Sequence, residues 1–231
     1  MARQVALLVG VGQATGQAVC RQWAERYELI LVARSTTLIS RLASELPHAH
    51  AVVCDVADRT AWRTTLETIR RDYGTIKRIL VNTESAAWGN YNELSLDQLS
   101  NSFDVNVISL LQLVQCLFPT PEAIEPDTRI MISSSPAAYR PPPRFLGLAP
   151  SRVAQRVMAE LLHANLQEAG LKFCVFSING AIDEPNMRAV YANKPTEFFI
   201  QPADIATQMT AAFDADDFPA QAEIRGESAF A

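Results

Sequence analysis

The sequence predicts an α/β fold, doubly wound, with three α/β/α layers around a mostly parallel sheet of about seven strands. Two observations lead to this prediction. Short aliphatic or β-branched runs alternate with longer amphipathic segments along the whole chain, as in strands joined by crossover helices. The short runs also lack alternation of apolar and polar residues, as expected for strands covered on both faces. Neither a tandem repeat nor a low-complexity linker interrupts the pattern, so residues 1–231 are expected to form a single domain.

Each predicted strand is a short run of apolar residues, such as VALLVG or LILVA, that ends in a loop. Runs of this length and composition are typical of strands buried in a parallel sheet. The predicted strands are, in order, 5–10, 29–33, 51–56, 78–82, 129–134, 171–178 and 222–225. Because the carboxyl ends of parallel strands meet at one edge of the sheet, the loops that follow them should share one crevice.

Between the strands, apolar residues recur at helical spacing. In the first such segment Val19, Trp23 and Tyr27 are four residues apart and share one face. Two other segments end at prolines, Pro47 and Pro119, which cannot continue a helix. The predicted helices are, in order, 14–27, 36–46, about 59–72, about 97–118, 150–168 and about 202–213.

The composition is that of a globular protein with an ordinary core. Of the 231 residues, 48% are hydrophobic and 19% charged, and the net charge of −5 is spread along the chain. Nothing resembles the basic stripe that nucleic acid requires, a cluster suited to an anionic membrane surface, or the ~20 apolar residues of a membrane span. The N-terminal apolar run is too short for a signal peptide. The protein is therefore expected to be cytoplasmic, without a nucleic-acid or membrane partner.

The cysteines are scattered and form no CxxC pair. We expect buried thiols in a reducing compartment rather than disulfides or a metal site. The four residues are Cys20, Cys54, Cys116 and Cys174.

The segment GVGQATG, residues 10–16, lies between a predicted strand and a predicted helix. Gly10 and Gly12 fit the G-x-G-x-x-G spacing, but its third position is a threonine. The spacing G-x-x-x-G-x-G fits better, with Gly10 at a sharp turn, Ala14 small enough for a pyrophosphate to approach, and Gly16 packing close to the strand. A tight turn without a ligand is the alternative, and the strand–helix context favours nucleotide binding.

The end of the second predicted strand carries Arg34 where an NAD site usually has an acid for the adenosine ribose. A cation there suits the 2′-phosphate of NADP, so NADP is the expected cofactor and NAD is less favoured. Asp55, which closes the third strand, would accept a hydrogen bond from the adenine amino group; capping the next helix is its alternative role.

Together these motifs resemble the short-chain dehydrogenase/reductase family, and the likeness covers nearly the whole chain. The resemblance implies a Rossmann fold, NAD(P)(H), a small-molecule substrate, and a homodimer or homotetramer built on the long helices after the fourth and fifth strands. The matching segments are GVGQATG at 10–16, CDV at 54–56, LVN at 80–82, FDVNV at 103–107, ISS at 132–134 and INGAIDEP at 178–185.

In this family hydride transfer depends on Asn, Ser and a Tyr-x-x-x-Lys pair. The resemblance makes Asn106 the asparagine that keeps a water in place and Ser134 the serine that binds the substrate oxygen. In the window of the pair, however, Leu148 stands where tyrosine is expected and Arg152 where lysine is expected. Leucine has no proton to exchange, whereas arginine can still hold the nicotinamide ribose. Tyr139 is a candidate substitute, with packing against the sheet edge as its alternative role.

Other departures lie beside the expected cofactor. In the family's NNAG segment Asn82 is retained, but Thr83, Glu84 and Ser85 replace residues that leave room for the cofactor. After the sixth strand Ile182 would keep a backbone contact to the nicotinamide, while Glu184 replaces a threonine. A divergent branch of the family has similar strand ends and a non-tyrosine helix start, and this chain most resembles that branch.

Residues 183–199 are expected to form a substrate lid. Apolar lid residues would line a pocket for a partly hydrophobic substrate, although packing onto their own domain is the alternative. They are Met187, Tyr191, Phe198 and Phe199.

Three interpretations follow from these residues. The first is an NADP(H)-binding oxidoreductase with an altered site, in which Ser134 and Asn106 polarise a carbonyl, Arg152 fixes the cofactor ribose, and water or Tyr139 supplies the proton. The second is a catalytically inactive family member with a nucleotide-binding, regulatory or assembly role. The third is a relic of the fold that binds no cofactor. The family resemblance favours the first interpretation.

Overall fold

A computed structural model describes residues 3–85, 87 and 89–229 of the chain. Its seven strands form one parallel sheet in the order β3-β2-β1-β4-β5-β6-β7. The predicted doubly wound fold is therefore confirmed. The strands are β1 Gln4–Val9, β2 Tyr27–Ala33, β3 Ala49–Val53, β4 Arg78–Val81, β5 Thr128–Ser134, β6 Leu171–Asn179 and β7 Gln221–Arg225.

Eight α-helices in the described residues connect these strands. They are α1 Thr15–Trp23, α2 Thr36–Glu45, α3 Arg59–Tyr73, α4 Leu96–Phe103, α5 Ser109–Leu117, α6 Ala149–Leu166, α7 Pro185–Val190 and α8 Pro202–Asp214. Short 3₁₀ turns cover Pro121–Ala123, Pro136–Ala138 and Thr196–Phe198.

Two helix predictions need correction. The helix expected at 14–27 ends at Trp23, and Tyr27 instead begins β2 by pairing with Gln4. The apolar spacing continues to Tyr27 because Tyr27 is itself buried, although it lies at the start of β2. The helix expected at 97–118 is divided into α4 and α5 by a π-helical turn, Asp104–Ile108.

The core lies on both faces of the sheet, as the unbroken apolar strands predict. Along β1, Leu7 and Val9 pack on the side of α3, α5 and α6, whereas Ala6 and Leu8 pack on the side of α1 and α8. Successive side chains of a strand point to opposite faces, so the sheet needs apolar residues at every position.

The strand order reverses between β1 and β4, and there the carboxyl ends of the two strands form a crevice. In open α/β sheets such a switch point is where ligands bind. All four cysteines are free and buried, and no cluster of metal-ligating side chains is found within the described residues. None of the helices in the described part of the chain has the length and apolar character that crossing a bilayer requires.

Candidate active site

A cavity of about 1530 Å³ opens at the carboxyl ends of β1, β4, β5 and β6. It also reaches α7, so the expected lid forms one of its walls. Most of the site residues predicted from the sequence lie on this cavity: Gly12, Ala14, Gly16, Asn82, Ser134, Tyr139, Arg152 and Ile182. The other four, Gly10, Arg34, Asp55 and Asn106, are not among the residues that line it.

The glycine loop after β1 is held by close backbone approaches. Gly10 has φ +84°, and a Cβ on it would lie 2.7 Å from the carbonyl carbon of Asn82. A Cβ on Gly16 would lie 2.9 Å from the Cα of Val11, whereas one on Gly12 would meet nothing within 4 Å. Gly10 and Gly16 are therefore required by packing, and Gly12 leaves open space on the cavity side.

The first turn of α1 faces this space without a side-chain cap. Ala14 occupies the N-cap position and makes no capping hydrogen bond. The first backbone bonds of the helix run from the Gln17 amide to the Gly12 carbonyl and from the Ala18 amide to the Ala14 carbonyl. The preceding amides and the helix dipole can therefore bind an anion such as a phosphate.

A chain of hydrogen bonds joins the glycine loop to α6. The Asn82 amide donates to the Gly10 carbonyl at 3.0 Å, and the Ser133 hydroxyl donates to Asn82 Oδ1 at 2.7 Å. Arg152 Nη1 donates to the Ser133 carbonyl at 3.2 Å. The ends of β1, β4 and β5 and the first turn of α6 are thus fixed relative to one another.

Arg152 is the buried cation of the cavity. Arg152 is 3% exposed, and its Nη1 also donates to Gln155 Oε1 at 2.8 Å. Nη2 lies 3.7 Å from Glu84 Oε1, and Nε has no hydrogen-bond partner among the described residues. A buried guanidinium needs partners for its donors. The Arg152 guanidinium can therefore still donate hydrogen bonds to a polar ligand.

Ser134 and Leu148, two positions that the family resemblance assigns to the reaction, both lie on the cavity. Ser134 ends β5 beside Ser177 of β6. Leu148 directly precedes α6 and is 2% exposed. Both line the cavity, so Leu148 presents an apolar side chain at the position where the family resemblance places a tyrosine.

Asn106 lies behind the cavity in the π-helical turn and is fully buried. Its side-chain amide donates to Ser151 Oγ at 2.9 Å, and Ser151 in turn donates to the Leu148 carbonyl at 2.9 Å. Asn106 therefore braces the first turn of α6, which carries Arg152. Ser151 has no distinguishing signal in the sequence, because a serine in the first turn of a helix is common.

The comparisons with known proteins agree with this geometry. Residues 4–194 match the family model of the short chain dehydrogenases. The chain belongs to the short-chain dehydrogenase family. No curated protein matches its sequence.

Several solved structures share the fold at low sequence identity. An alcohol dehydrogenase from the archaeon Thermococcus sibiricus, solved in complex with 5-hydroxy-NADP, has a TM-score of 0.85 at 18% identity, over 100% of this chain and 99% of its own. A metagenomic blue fluorescent protein in complex with NADPH has a TM-score of 0.82 at 22% identity, over 98% of both chains. A short chain oxidoreductase from Pseudomonas aeruginosa PAO1, described as containing an atypical catalytic center, has a TM-score of 0.83 at 17% identity, over 97% of this chain and 96% of its own.

In this short-chain dehydrogenase Tyr139 is 40% exposed and lies beside α6 rather than at its start. The Arg156 guanidinium lies 5.1 Å from the centre of its ring, two helical turns beyond Leu148. Burial raises the pKa of the Tyr139 phenol above its ordinary value, and the Arg156 charge only partly opposes this. The hydroxyl therefore holds its proton more tightly than an ordinary tyrosine does, which makes it a weaker proton donor.

Arg34 and Asp55 form an exposed pair after β2 and β3, outside the lining of the cavity. Arg34 Nη1 lies 4.0 Å from Asp55 Oδ2, and the Asp55 side chain accepts a hydrogen bond from the Ala57 amide at 3.0 Å. Asp55 thus stabilises the turn before α3. Ser35, which the sequence reasoning missed, is the N-cap residue of α2 and makes no capping hydrogen bond, so the start of α2 is open next to Arg34.

Glu84 and Glu184 bring two carboxylates to the same cavity. Burial raises the pKa of the Glu184 carboxyl, and the negative charge of Glu84 raises it further. Sequence reasoning registered both residues as departures from the family but did not bring them together. They follow different strands, and only the folded sheet places them near each other.

Asp183 is the main polar anchor of residues 183–199, the segment expected to form a lid, with two hydrogen bonds inside the segment and one from Gln201 beyond it. The Arg188 guanidinium donates two hydrogen bonds to its carboxylate, at 2.6 and 2.8 Å, and Gln201 donates a third at 3.0 Å. The hydrogen bonds from Arg188 and Gln201 hold the pKa of Asp183 below its ordinary value.

Of the four apolar lid residues predicted to line the pocket, Met187 and Tyr191 do so. Phe198 and Phe199 instead take the alternative role, packing against residues of the same segment. The centre of the Phe198 ring lies 5.1 Å from that of the Tyr191 ring at a tilt of 54°, and the Arg188 guanidinium lies 4.2 Å from the centre of the Phe199 ring.

Proposed function

We propose that the chain is an NADP(H)-dependent oxidoreductase that interconverts a carbonyl and an alcohol in a small, partly apolar molecule. The observation that carries this proposal is the single cavity that joins the uncapped start of α1 to Ser134 and Arg152. A dinucleotide needs such a continuous surface, with an anion site at one end and a reaction site at the other.

The residues present fit NADP. The α1 amides and the open space at Gly12 suit the pyrophosphate. Arg34, beside the open start of α2 and Ser35, would bind the 2′-phosphate. The remaining donors of Arg152 suit the nicotinamide ribose hydroxyls, and the backbone of Ile182 the carboxamide. Similar structures solved with NADP or NADPH support the same cofactor.

NADPH supplies a hydride when it is bound. At the substrate, the Ser134 hydroxyl would donate a hydrogen bond to the carbonyl oxygen, and the buried charge of Arg152 would stabilise the negative charge that develops there. Asn106 acts indirectly, because its bond to Ser151 positions the turn that carries Arg152. The proton would come from water or from Tyr139, since Leu148 has none to give.

A catalytically inactive protein with a regulatory or assembly role is the second candidate. The apolar Leu148 and the carboxylate of Glu84 beside Arg152 favour it. Losing a principal acid–base group lowers a rate by about 10²–10⁴-fold, so a slow enzyme is consistent with the same residues.

The expected assembly and location are part of the proposal. We expect a homodimer or homotetramer in the cytoplasm, with residues 1–231 as one domain and 183–199 as its lid. On α6, Val157 and Leu161 are 38% and 56% exposed and lie one turn apart, which gives an apolar stripe for a second copy of the helix.

A fluorescence titration with NADPH, and separately with NADH, tests the proposed function. We expect micromolar binding of NADPH and weaker binding of NADH. The Gly12→Ala variant should weaken NADPH binding by about tenfold or more without lowering Tm, because its methyl group enters the cavity and not the protein interior. Saturable binding of neither nucleotide would contradict the proposal.

Turnover separates the two candidates. Slow oxidation of NADPH by small ketones, reduced further in a Tyr139→Phe variant, would support an enzyme that uses the Tyr139 hydroxyl. Tight NADPH binding with no turnover across a broad panel would favour the inactive protein.

A further inference from the structure

The loop between β5 and α6 carries two arginines on the wall of the cavity, Arg140 and Arg144. Both are exposed, which places them on its solvent side. Neither forms an ion pair with an acidic side chain in the described part of the chain, although most of the other arginines there do. The Arg144 guanidinium lies 5.2 Å from the ring of Phe145, which leaves its donors available.

The other charges of the cavity do not neutralise these two. Of its three glutamates, Glu84 faces Arg152 and Glu223 pairs with Arg225 at 2.8 Å. The third, Glu184, is influenced by the negative charge of Glu84 and by no arginine. The cavity therefore has two unpaired positive charges at this wall against one unpaired carboxylate, that of Glu184, in a protein whose net charge is −5.

The loop holds the arginines in a defined place. Three prolines, at 141–143, separate them and restrict φ. The Arg140 amide bonds the Pro136 carbonyl at 2.8 Å, and the Phe145 amide bonds the Pro142 carbonyl at 2.9 Å. Phe145 also bridges to Gly89 across the neighbouring loop. A loop fixed in this way loses little conformational freedom when a ligand binds.

Apolar surface lies on the same cavity as these charges and Ser134. Leu148, Met187 and Tyr191 line it together with the two arginines. Resting on the proposed function, we infer that the substrate is amphiphilic and carries an anionic group, a carboxylate or a phosphate, which Arg140 and Arg144 bind. Its carbonyl lies at Ser134, and its apolar part lies against Leu148 and the lid.

Paired ketone probes test this assignment by calorimetric titration. The carboxylate pair is 3-oxohexanoate and its methyl ester, and the phosphate pair is dihydroxyacetone phosphate and dihydroxyacetone. We expect one anionic probe to bind about tenfold or more tightly than its neutral partner. The pair that shows the preference identifies whether the anion is a carboxylate or a phosphate.

The double variant Arg140→Ala with Arg144→Ala should abolish that preference. Arg63→Ala is the matched control, since Arg63 is an exposed arginine on α3 that does not line the cavity. An unchanged preference in the double variant, an equal loss in the control, or the same weak binding of all four probes would overturn the inference.

The titration also separates this inference from the proposed function. Probe binding is measured with and without NADPH, so it requires no turnover. Failure of NADPH to bind contradicts the proposed function and leaves the anion measurement valid. Loss of NADPH binding in the double variant, with the anion preference intact, would show that the arginines serve the cofactor and would overturn the inference.

Discussion

The two ends of the cavity differ in what they are made of. At the glycine loop the cavity wall is backbone, shaped by Gly10, Gly16 and the free amides of α1. At the start of α6 it is side chains, with Leu148, Arg152 and Glu84 in place of the residues that the family resemblance predicts. A backbone site persists as long as the fold does. A side-chain site can lose its chemistry by a few substitutions while the fold is retained.

The two ends are nevertheless joined by the hydrogen bonds through Asn82 and Ser133. These bonds fix Arg152 in place even though its neighbours have changed. The α6 end is therefore tied to the glycine loop by hydrogen bonds, and variants can test the two ends separately.

Gly10→Ala should have the largest effect, because it disrupts the backbone end. The new methyl group would lie 2.7 Å from the backbone of Asn82 and Thr83, at a φ of +84° that L-residues disfavour. We expect a loss of about 2–4 kcal/mol of unfolding free energy, together with loss of NADPH binding. Chemical denaturation measures the first and fluorescence titration the second.

Gly74→Ala is the matched control for that variant. Gly74 has a similar φ of +68°, but a Cβ there meets nothing within 4 Å. It should cost only the backbone strain, about 1–3 kcal/mol, and leave NADPH binding unchanged. Equal destabilisation by both variants would show that the close approach to Asn82 contributes nothing.

Leu148→Tyr combined with Arg152→Lys would restore the acid–base pair of the family at the side-chain end. We expect reduction of a generic ketone to rise by about 10²-fold, because a phenol beside an ammonium group has a lowered pKa and can exchange the proton. The initial rate of NADPH oxidation measures this.

Leu148→Phe with Arg152→Lys separates the hydroxyl from the added ring. Phenylalanine has nearly the same volume as tyrosine but no proton to give, so this double variant should reduce the ketone as slowly as the wild type. If both double variants are equally slow while their circular dichroism is native, the replacements at 83–85 and at Glu184 also prevent the reaction.

The difference between the two ends also explains what the sequence could predict. Strands and glycine turns impose requirements on individual residue types, so the seven strands and the close-packed Gly10 and Gly16 follow from local patterns. The π-helical turn at Asp104–Ile108 leaves the apolar spacing nearly intact, so the sequence predicts one helix over 97–118 where the structure has two.

The surroundings of Arg152 could not be predicted in the same way. Its partners Ser133, Gln155 and Glu84 come from three different elements. Gln155 is a local partner, three residues beyond Arg152 on α6, but no local pattern relates Arg152 to Ser133 or to Glu84, which are brought to it only by the folded sheet. The same holds for Arg140 and Arg144, whose meaning depends on the cavity that the loop borders.

Glu84→Gln should have a smaller effect, lowering the stability of the fold slightly while strengthening the binding of NADPH. Glu84 is half exposed, and its carboxylate lies 3.7 Å from the buried guanidinium of Arg152. Removing its charge should lower Tm slightly, because such a pair contributes up to about 1 kcal/mol. It should strengthen NADPH binding several-fold, because Arg152 is freed and a negative charge leaves the cavity.

Glu45→Gln is the control for Glu84→Gln. Glu45 is 40% exposed and pairs with Arg21 at 2.6 Å outside the cavity. It should change Tm to a similar extent and leave the affinity for NADPH unchanged. Weaker NADPH binding in Glu84→Gln would mean that Glu84 helps to hold the cofactor rather than competing with it.

The smallest expected effect is a change in the pH dependence of stability in Glu184→Gln. Burial, and then the charge of Glu84, raise the pKa of Glu184 in the folded protein. The folded state therefore binds this proton more tightly than the unfolded state, and stability falls as pH rises from the ordinary carboxyl range through the raised pKa. Glutamine cannot ionise, so the variant does not have that loss. The Tm of the variant minus that of the wild type should therefore be larger at about pH 8 than at about pH 4.

Combining Glu184→Gln with Glu84→Gln tests the cause of that pH dependence. With Glu84 uncharged, only burial still raises the pKa of Glu184, so the effect of Glu184→Gln on Tm should vary less with pH than it does in the wild type. Tm is measured for all four proteins at both pH values. An equal pH dependence in the two backgrounds would contradict the coupling, and the two carboxylates would then be independent groups that happen to share a cavity.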